Sequence, residues 1–309
     1  MKVIYSINRI KRFKKPVVAL GVFDGVHRGH REVLKAAVRE ARRIRGTSIV
    51  VTFWPHPQKE ESLYSLKHRL NLIAGLSVEV CIVINFNHRF SQILAEDFVR
   101  NILVAKIGAH YICIGKNFHF GKNAEGDFRL LSRLSQICNF KLKIYDVIKI
   151  NKQPVSSTYI RALIKKAKLD TAQELLGRPV SILGTVIKGA SLARKLGFPT
   201  ANINPHHEVV PPPGIYAVRV LFNKKKFNGV CYIGTKPTFK VRKSKVKSQK
   251  SSIRIEVYIF DFRRKIYGKD LEIQFIKKIR DEKKFDSLQH LANQIRKDVL
   301  ATKKLLSSP

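Results

Sequence analysis

VVALGVFDGVHRGH occupies residues 17–30, and its reading decides how the chain begins to fold. Residues 17–23 form an apolar run of the kind found in a buried strand. The run ends in glycine and aspartate, and glycines at 21, 25 and 29 permit a tight turn. Residues 32–45 then have helical composition. A helix N-terminus presents free N–H groups and the positive end of a dipole to an anion. His27 and His30, three residues apart, lie on the same side of that first turn. With Gly29 between them, backbone and imidazoles can both approach a triphosphate, and imidazole N–H donors can stabilise charge developing on phosphate. The competing reading is a pair of surface histidines at a helix start. The order strand, glycine turn, helix favours phosphate handling.

Outward from this point the grammar repeats. Residues 47–53 (TSIVVTF), 80–86 (VCIVINF) and 110–115 (HYICIG) read as strands, and residues 65–76 and 90–106 as helices. Alternation of this kind predicts a parallel sheet covered on both faces, with ligands beyond the carboxyl ends of its strands. Residues 21–30, 54–57 and 115–121 fall at such ends. Residues 158–176 read as one or two helices. Near Gly177-Arg178-Pro179 the pattern changes to short strands at 180–187, 214–222, 227–233, 253–262 and 271–279, without helices between them. That predicts an antiparallel sheet or small barrel, closed by a helix over 287–306. A chain of 309 residues exceeds the usual span of one core. Two domains follow, 1–175 and 176–309.

The formal charge is +38, from 60 Lys and Arg against 22 Asp and Glu. Such a field attracts polyanions: nucleic acid is one candidate, and nucleotides and pyrophosphate are others. Residues 240–250, rich in Lys and Ser, read as an exposed, mobile loop. Cys81, Cys113, Cys138 and Cys231 show no zinc-like spacing and no disulfide framework. They read as reduced thiols in a cytoplasmic protein. No run of eighteen apolar residues predicts a membrane span, and the N-terminus lacks the pattern of a signal peptide.

A second constellation is GTVIKGASLARKLGFPTANI, residues 184–203. In an extended segment Thr200 and Asn202 face the same way. A hydroxyl and an amide oxygen there could help hold Mg²⁺ between phosphates, although the same pair also suits a turn or cap. Lys188, Arg194 and Lys195 add positive charge. Further on, Ile253, Ile255, Val257 and Ile259 share one strand face, and Glu256 projects from the other with Arg254 and Tyr258. Glu256 is a candidate base; the plainer reading is a solvated residue paired with a neighbouring cation. Ser156 and Thr158 suit helix capping, and Arg161 suits a phosphate clamp.

GVFDGVHRGH resembles the nucleotidyltransferase superfamily and, within it, the bacterial bifunctional riboflavin kinase/FMN adenylyltransferase (FAD synthetase) family. So do FWPHP (53–57), GKNFHFG with Gly126-Asp127 (115–127), and VSSTYIR (155–161). LGFPTANI (196–203), PGIY (213–216), GVCYIGTKPTF (229–239), IEVYIFDF (255–262), IYGK (266–269) and IRDEKKF (279–285) resemble its kinase half. The resemblance implies an α/β, Rossmann-like nucleotidyltransferase domain, then a small antiparallel β-barrel kinase domain with a C-terminal helix. It implies that His27 and His30 bind ATP phosphates and stabilise adenylyl transfer. Gly21, Phe23, Asp24, Gly25, Asn117 and Asp127 would contact nucleotide or flavin, and Ser156, Thr158 and Arg161 would close over phosphates. Gly189, Arg194, Gly197 and Pro199 would line the kinase nucleotide loop, Thr200 and Asn202 would hold Mg²⁺, and Glu256 would take the riboflavin 5′-hydroxyl proton. ATP, riboflavin, FMN and FAD would be substrates and products, and small nucleotides and flavins the partners, with neither membrane nor nucleic acid required.

The chain departs from the family pattern at Ala193, where glycine is usual, at Tyr232, where asparagine is usual, and in the basic segment 242–252. An adenylyltransferase for another phosphate acceptor, or a basic RNA-associated protein, are the rival readings.

Overall fold

A computed structural model describes residues 1–10, 12–57, 61–189, 193, 196–235 and 253–307. Arg194, Lys195 and the basic segment 242–252 lie outside the described residues. The chain forms two compact units, Met1–Ile160 with Leu175–Gly177, and Arg161–Glu174 with Arg178–Pro309.

The first unit is built on six parallel strands: β1 (Lys2–Ile4), β2 (Val17–Leu20), β3 (Ser48–Trp54), β4 (Val80–Asn85), β5 (Tyr111–Gly115) and β6 (Lys141–Tyr145). Their order is β1-β4-β3-β2-β5-β6. The chain moves outward from β2 through β3 to β4, then returns to the other side at β5. The switch point therefore lies between β2 and β5, and the crevice beyond it is where open α/β sheets bind ligands. Every residue of β2 is buried, as expected of a strand covered on both faces. Val18, Leu20, Val51, Ile82 and Ile112 pack on one face with Phe98, Leu103 and Leu131. Val17, Ala19, Val50, Cys81 and Cys113 pack on the other with Val33, Leu34, Ala37 and Val38.

Helix α1 (Arg28–Arg43) follows β2, and α2 (Leu66–Ala74) follows β3. α1 starts four residues before the expected position because His27 caps it. The single helix expected over 90–106 is broken. His88–Ser91 and Ala95–Asp97 are single short turns of α-helix, and Phe98–Lys106 is π-helical. The cause is local: Lys122 N–H donates to Ile93 O at 2.8 Å, and Glu125 Oε1 accepts the Ala95 N–H at 3.0 Å. Those bonds take backbone groups that a continuous helix would use. Gly121, at φ 79°, lies so close to Ala95 that a Cβ there would stand 2.6 Å from its Cα. A side chain would break both the turn and the contact.

Beyond a two-residue pair, β7 (Lys149–Ile150) and β8 (Gln153–Pro154), come helices Ser157–Lys165 and Leu169–Leu176. The second unit carries a closed antiparallel barrel of β9 (Val180–Ile187), β10 (Thr200–Asn204), β11 (Gly214–Phe222), β12 (Lys225–Thr235), β13 (Ile253–Ile259) and β14 (Asp270–Arg280). The strand order is β10-β13-β12-β11-β14-β9, and β10 pairs with β9 to close it. Helix Leu288–Ser307 packs on β11, β12 and β14. Arg280 of β14 makes a two-pronged bond to the buried Asp298 of that helix, Nε to Oδ1 at 2.9 Å and Nη2 to Oδ2 at 2.7 Å. Among the described residues no helix is long and apolar enough to cross a membrane.

Candidate functional sites

In the first unit, β2 ends at the switch point and the chain turns sharply. Phe23, Gly25 and Val26 all have positive φ, 55°, 81° and 40°. Non-glycine residues adopt this region at a cost of about 1–2 kcal/mol each, so the surroundings must hold them there. They do. The Asp24 carboxylate, 1% exposed, accepts the backbone N–H groups of Leu63 at 2.9 Å and Tyr64 at 3.3 Å. Ser157 Oγ donates to Asp24 O at 2.8 Å. A Cβ on Gly25 would lie 2.6 Å from Leu63 Cδ1.

This turn delivers His27 to the N-cap of α1, where its Nδ1 accepts the His30 N–H at 3.3 Å. A ring nitrogen that accepts carries no proton, so the neutral imidazole of His27 bears its N–H on Nε2. The two imidazoles stack, and the Phe23 ring meets His30 edge-on at 5.4 Å. The expected pair is thus brought together at the head of a sixteen-residue helix. Its N–H groups and dipole favour an anion.

β5 also ends at the switch point and leads into residues 115–127. Asp127 caps helix Phe128–Ile137 by accepting from Arg129 and Leu130 N–H at 2.9 and 3.1 Å. The Leu130 backbone bond is the main cause holding its carboxyl below the usual range. Asn117 lies in the turn before Phe118, and its carbonyl stands 3.2 Å from His119 Nδ1. Ser156 Oγ accepts the Tyr159 N–H at 3.2 Å, the capping bond anticipated for it. Thr158 is exposed, and Arg161 is buried in the second unit.

Within the second unit, Thr200 and Asn202 of β10 pair with Tyr258 and Glu256 of β13. The alternation of both strands puts these four side chains on one face. Thr200 Oγ1 donates to Glu256 Oε2 at 3.1 Å, and Arg254 Nη2 pairs with Glu256 Oε1. Glu256 is 8% exposed. Its neighbour across β12 is Tyr232, whose hydroxyl donates to Glu282 Oε1 at 2.5 Å. Burial, followed by that bond, raises the Tyr232 hydroxyl pKa. Gly189 packs against Asn202 so closely that a Cβ would meet its amide at 2.1 Å. Gly197 has φ 87°, and the Phe198 ring meets Tyr258 edge-on at 5.6 Å.

The oxygens of Thr200, Asn202 and Glu256 are hard donors on one face, which fits a hard dication. Among the described residues no trio of His, Cys, Asp or Glu could hold a metal. A cation here would draw on these hydroxyl and amide oxygens together with substrate phosphates.

The sequence does not single out Thr52 and Arg69 beneath the His27 turn. Thr52 reads as part of an apolar strand and Arg69 as part of a helix, and neither carries a local signal of its contacts.

Comparison with known proteins covers both units. The FAD synthetase family model matches residues 9–159 and the riboflavin kinase family model residues 176–306. The chain is 35% identical to a bifunctional riboflavin kinase/FMN adenylyltransferase of Buchnera aphidicola subsp. Schizaphis graminum, covering 98% of each chain. It is 35% identical to the enzyme so named in Bacillus subtilis, over 92% of this chain and 90% of that one, and 33% identical to that of Escherichia coli K12, over 98% and 97%. A solved structure from Streptococcus pneumoniae, described as a macrolide-efflux protein, superposes with a TM-score of 0.83 at 28% identity. It covers 97% of this chain and 98% of that one.

Proposed function

The chain belongs to the bifunctional riboflavin kinase/FMN adenylyltransferase family, and from that membership we propose how its residues divide two reactions. Riboflavin and ATP give FMN and ADP; FMN and ATP give FAD and pyrophosphate. We assign adenylylation to residues 1–175 and phosphorylation to residues 176–309. The observation that carries the division is that His27 and His30 lie in one compact unit while Thr200, Asn202 and Glu256 lie in the other.

For adenylylation, an FMN phosphate oxygen attacks the α-phosphorus of ATP and pyrophosphate leaves. With Nδ1 engaged at the helix cap, His27 donates through Nε2 to the phosphate oxygens on which charge builds. His30 stacks on it and acts on the same phosphates. Gly21, Phe23, Asp24 and Gly25 shape this turn, and Asp24 acts through the backbone bonds that hold it. Asn117 and Asp127 border the flavin or nucleotide, with Asp127 also fixing the helix that follows it. Ser156 and Thr158 close on the phosphates.

For phosphorylation, Glu256 accepts the riboflavin 5′-hydroxyl proton as that oxygen attacks the γ-phosphorus and the bond to the β–γ bridging oxygen breaks. Thr200 and Arg254 fix both carboxylate oxygens of Glu256 before substrate arrives. Phosphoryl transfer depends mainly on positioning and charge neutralisation, so one base suffices. Mg²⁺, held by Thr200 and Asn202 together with ATP phosphates, would neutralise the triphosphate there. Gly189, Arg194, Gly197 and Pro199 supply the nucleotide loop. A cytoplasmic location and small nucleotides and flavins as the partners complete the proposal, with nucleic acid not required.

The test is product analysis of the full chain with riboflavin, ATP and Mg²⁺. Formation of FMN and then FAD is expected. His30→Ala should stop FAD formation and spare FMN, while Glu256→Ala should stop FMN formation from riboflavin and spare FAD formation from supplied FMN. Loss of both FMN formation from riboflavin and FAD formation from supplied FMN in either variant, with folding intact, would overturn the division.

A further inference from the structure

Arg69 of α2 is 0% exposed. It takes a cation into the interior of the first unit, where burial pushes its guanidinium pKa down against the opposing pull of the Asp24 carboxylate. Burying a cation is strongly unfavourable unless hydrogen bonds and opposite charge offset it. Here Nη1 donates to Val22 O at 2.8 Å and to Phe53 O at 3.2 Å, with Thr52 Oγ1 at 3.4 Å. Thr52 Oγ1 itself donates to the same Val22 O at 2.7 Å. The guanidinium carbon lies 5.4 Å from the centre of the Trp54 ring. Among the described residues Nε and Nη2 have no hydrogen-bond partner.

The two carbonyls are not arbitrary. Val22 O is the last backbone acceptor before the run of positive φ at Phe23, Gly25 and Val26 that delivers His27. Phe53 O belongs to the end of β3, where the chain enters Trp54-Pro55-His56-Pro57. One guanidinium thus spans the ends of two adjacent parallel strands. Ser65, which caps α2, and the Leu63 and Tyr64 N–H groups, which hold Asp24, belong to the segment leading into the same helix. The strained turn is held by this segment from two sides, through Asp24 and through Arg69.

We infer that Arg69 is a positioning residue for FMN adenylylation, fixing the turn that carries His27 relative to the end of β3. It has no exposed surface for substrate, so it acts through Val22 and Phe53. The inference rests on adenylyl transfer at His27 and His30. A core residue without this role would behave differently: replacing a buried charge by an apolar side chain of similar length is often neutral or stabilising. Activity in the folded protein would then be unchanged.

The experiment uses the full chain with Arg69→Met, Arg69→Lys, Thr52→Val and His30→Ala. FAD formation from FMN is measured beside FMN formation from riboflavin, which serves as control on the same molecule. A misplacement of about 1 Å costs on the order of 10²-fold, so Arg69→Met should lower kcat for FAD formation by about that factor while the KM for ATP moves less than about threefold. Arg69→Lys, which keeps a cation and donors, should recover most of the rate. Thr52→Val, which keeps the charge and removes one bond to Val22 O, should lower kcat by about fivefold, the scale of one neutral hydrogen bond. The inference is overturned if Arg69→Met melts like the parent and keeps FAD formation within twofold, or if it lowers FMN formation equally. Should Arg69→Met fail to fold, Thr52→Val decides, and an unchanged kcat overturns the inference. Retention of FAD formation in His30→Ala would instead show that the adenylylation site itself is misassigned.

Discussion

The imidazoles of His27 and His30 lie face to face, with ring centroids 3.5 Å apart and planes 17° apart, and His27 Nδ1 accepts the His30 backbone N–H. Under the proposed function, the capping bond and the donor to phosphate use opposite nitrogens of one ring. His27→Asn separates them, because asparagine caps a helix well but has no counterpart of Nε2. FAD formation should fall by about 10²–10³-fold, as when one donor is removed from a preorganised anion site. FMN formation and the melting temperature should not change. A variant retaining a third of the FAD-forming rate would show that Nε2 is dispensable.

Glu256 receives Thr200 and Arg254 on separate oxygens. Glu256→Gln keeps an acceptor for one of them and cannot take a proton. Riboflavin phosphorylation should drop by about 10²–10⁴-fold, the usual range for a general base. Arg254, with a side chain 30% exposed, remains partly solvated. The stability change should therefore stay within about 1 kcal/mol. Steady-state FMN production and thermal unfolding check both halves. Undiminished FMN production would remove Glu256 from the role of base.

Much of this architecture could be read in the chain because its signals are local. VVAL, TSIVVTF and VCIVIN are apolar enough to be buried on both faces, and the barrel strands are bounded by turn residues. β1 and β6 escaped because three residues carry no period, and because Lys141 and Lys143 alternate with Leu142 and Ile144 on a half-exposed edge. The histidine pair was legible from its strand, glycine turn and helix. Arg69 was not, since a cation in a helix ordinarily faces solvent, and only the tertiary fold brings Val22 and Phe53 above it. The family resemblance assigns Asp24 to ligand contact and says nothing of what holds its carboxylate. Its bonds to Leu63 and Tyr64 span 39 and 40 residues of sequence, beyond what a motif conveys.

Cys81 and Cys113 sit inside the first unit, and burial pushes both thiol pKa values up to about 12. Cys231 is buried in the second, and Cys138 is partly exposed. In the native chain at pH 8 a thiol-specific reagent should label Cys138 quickly and the other three only after unfolding. A raised folded pKa contributes stability that is complete below the unfolded thiol value, about 8.5. That contribution is lost as pH rises through the folded one. The first unit should therefore weaken between about pH 9 and 12, and Cys113→Ala should lessen the slope. Rapid native labelling of Cys81 would contradict this packing.

Asp298 is 4% exposed and takes both prongs of Arg280 as well as Gln294 Nε2 at 3.0 Å. These bonds join the end of β14 to the helix that covers β11, β12 and β14. Asp298→Ala removes the carboxylate and leaves Arg280, 22% exposed at its side chain, without its counter-charge. Breaking a buried pair from one side costs about 3–5 kcal/mol, and the partial exposure of Arg280 places the expectation near 3. The sole tryptophan, Trp54, lies in the first unit, so its fluorescence will not report the loss. Thermal inactivation of FMN formation will, shifting to lower temperature while FAD formation from FMN is preserved. Because the pair is buried, 0.5 M salt, on the order of what screens surface charges, should not reproduce the effect in the parent chain. If Asp298→Ala inactivates at the parent temperature, the helix is held by its apolar contacts alone.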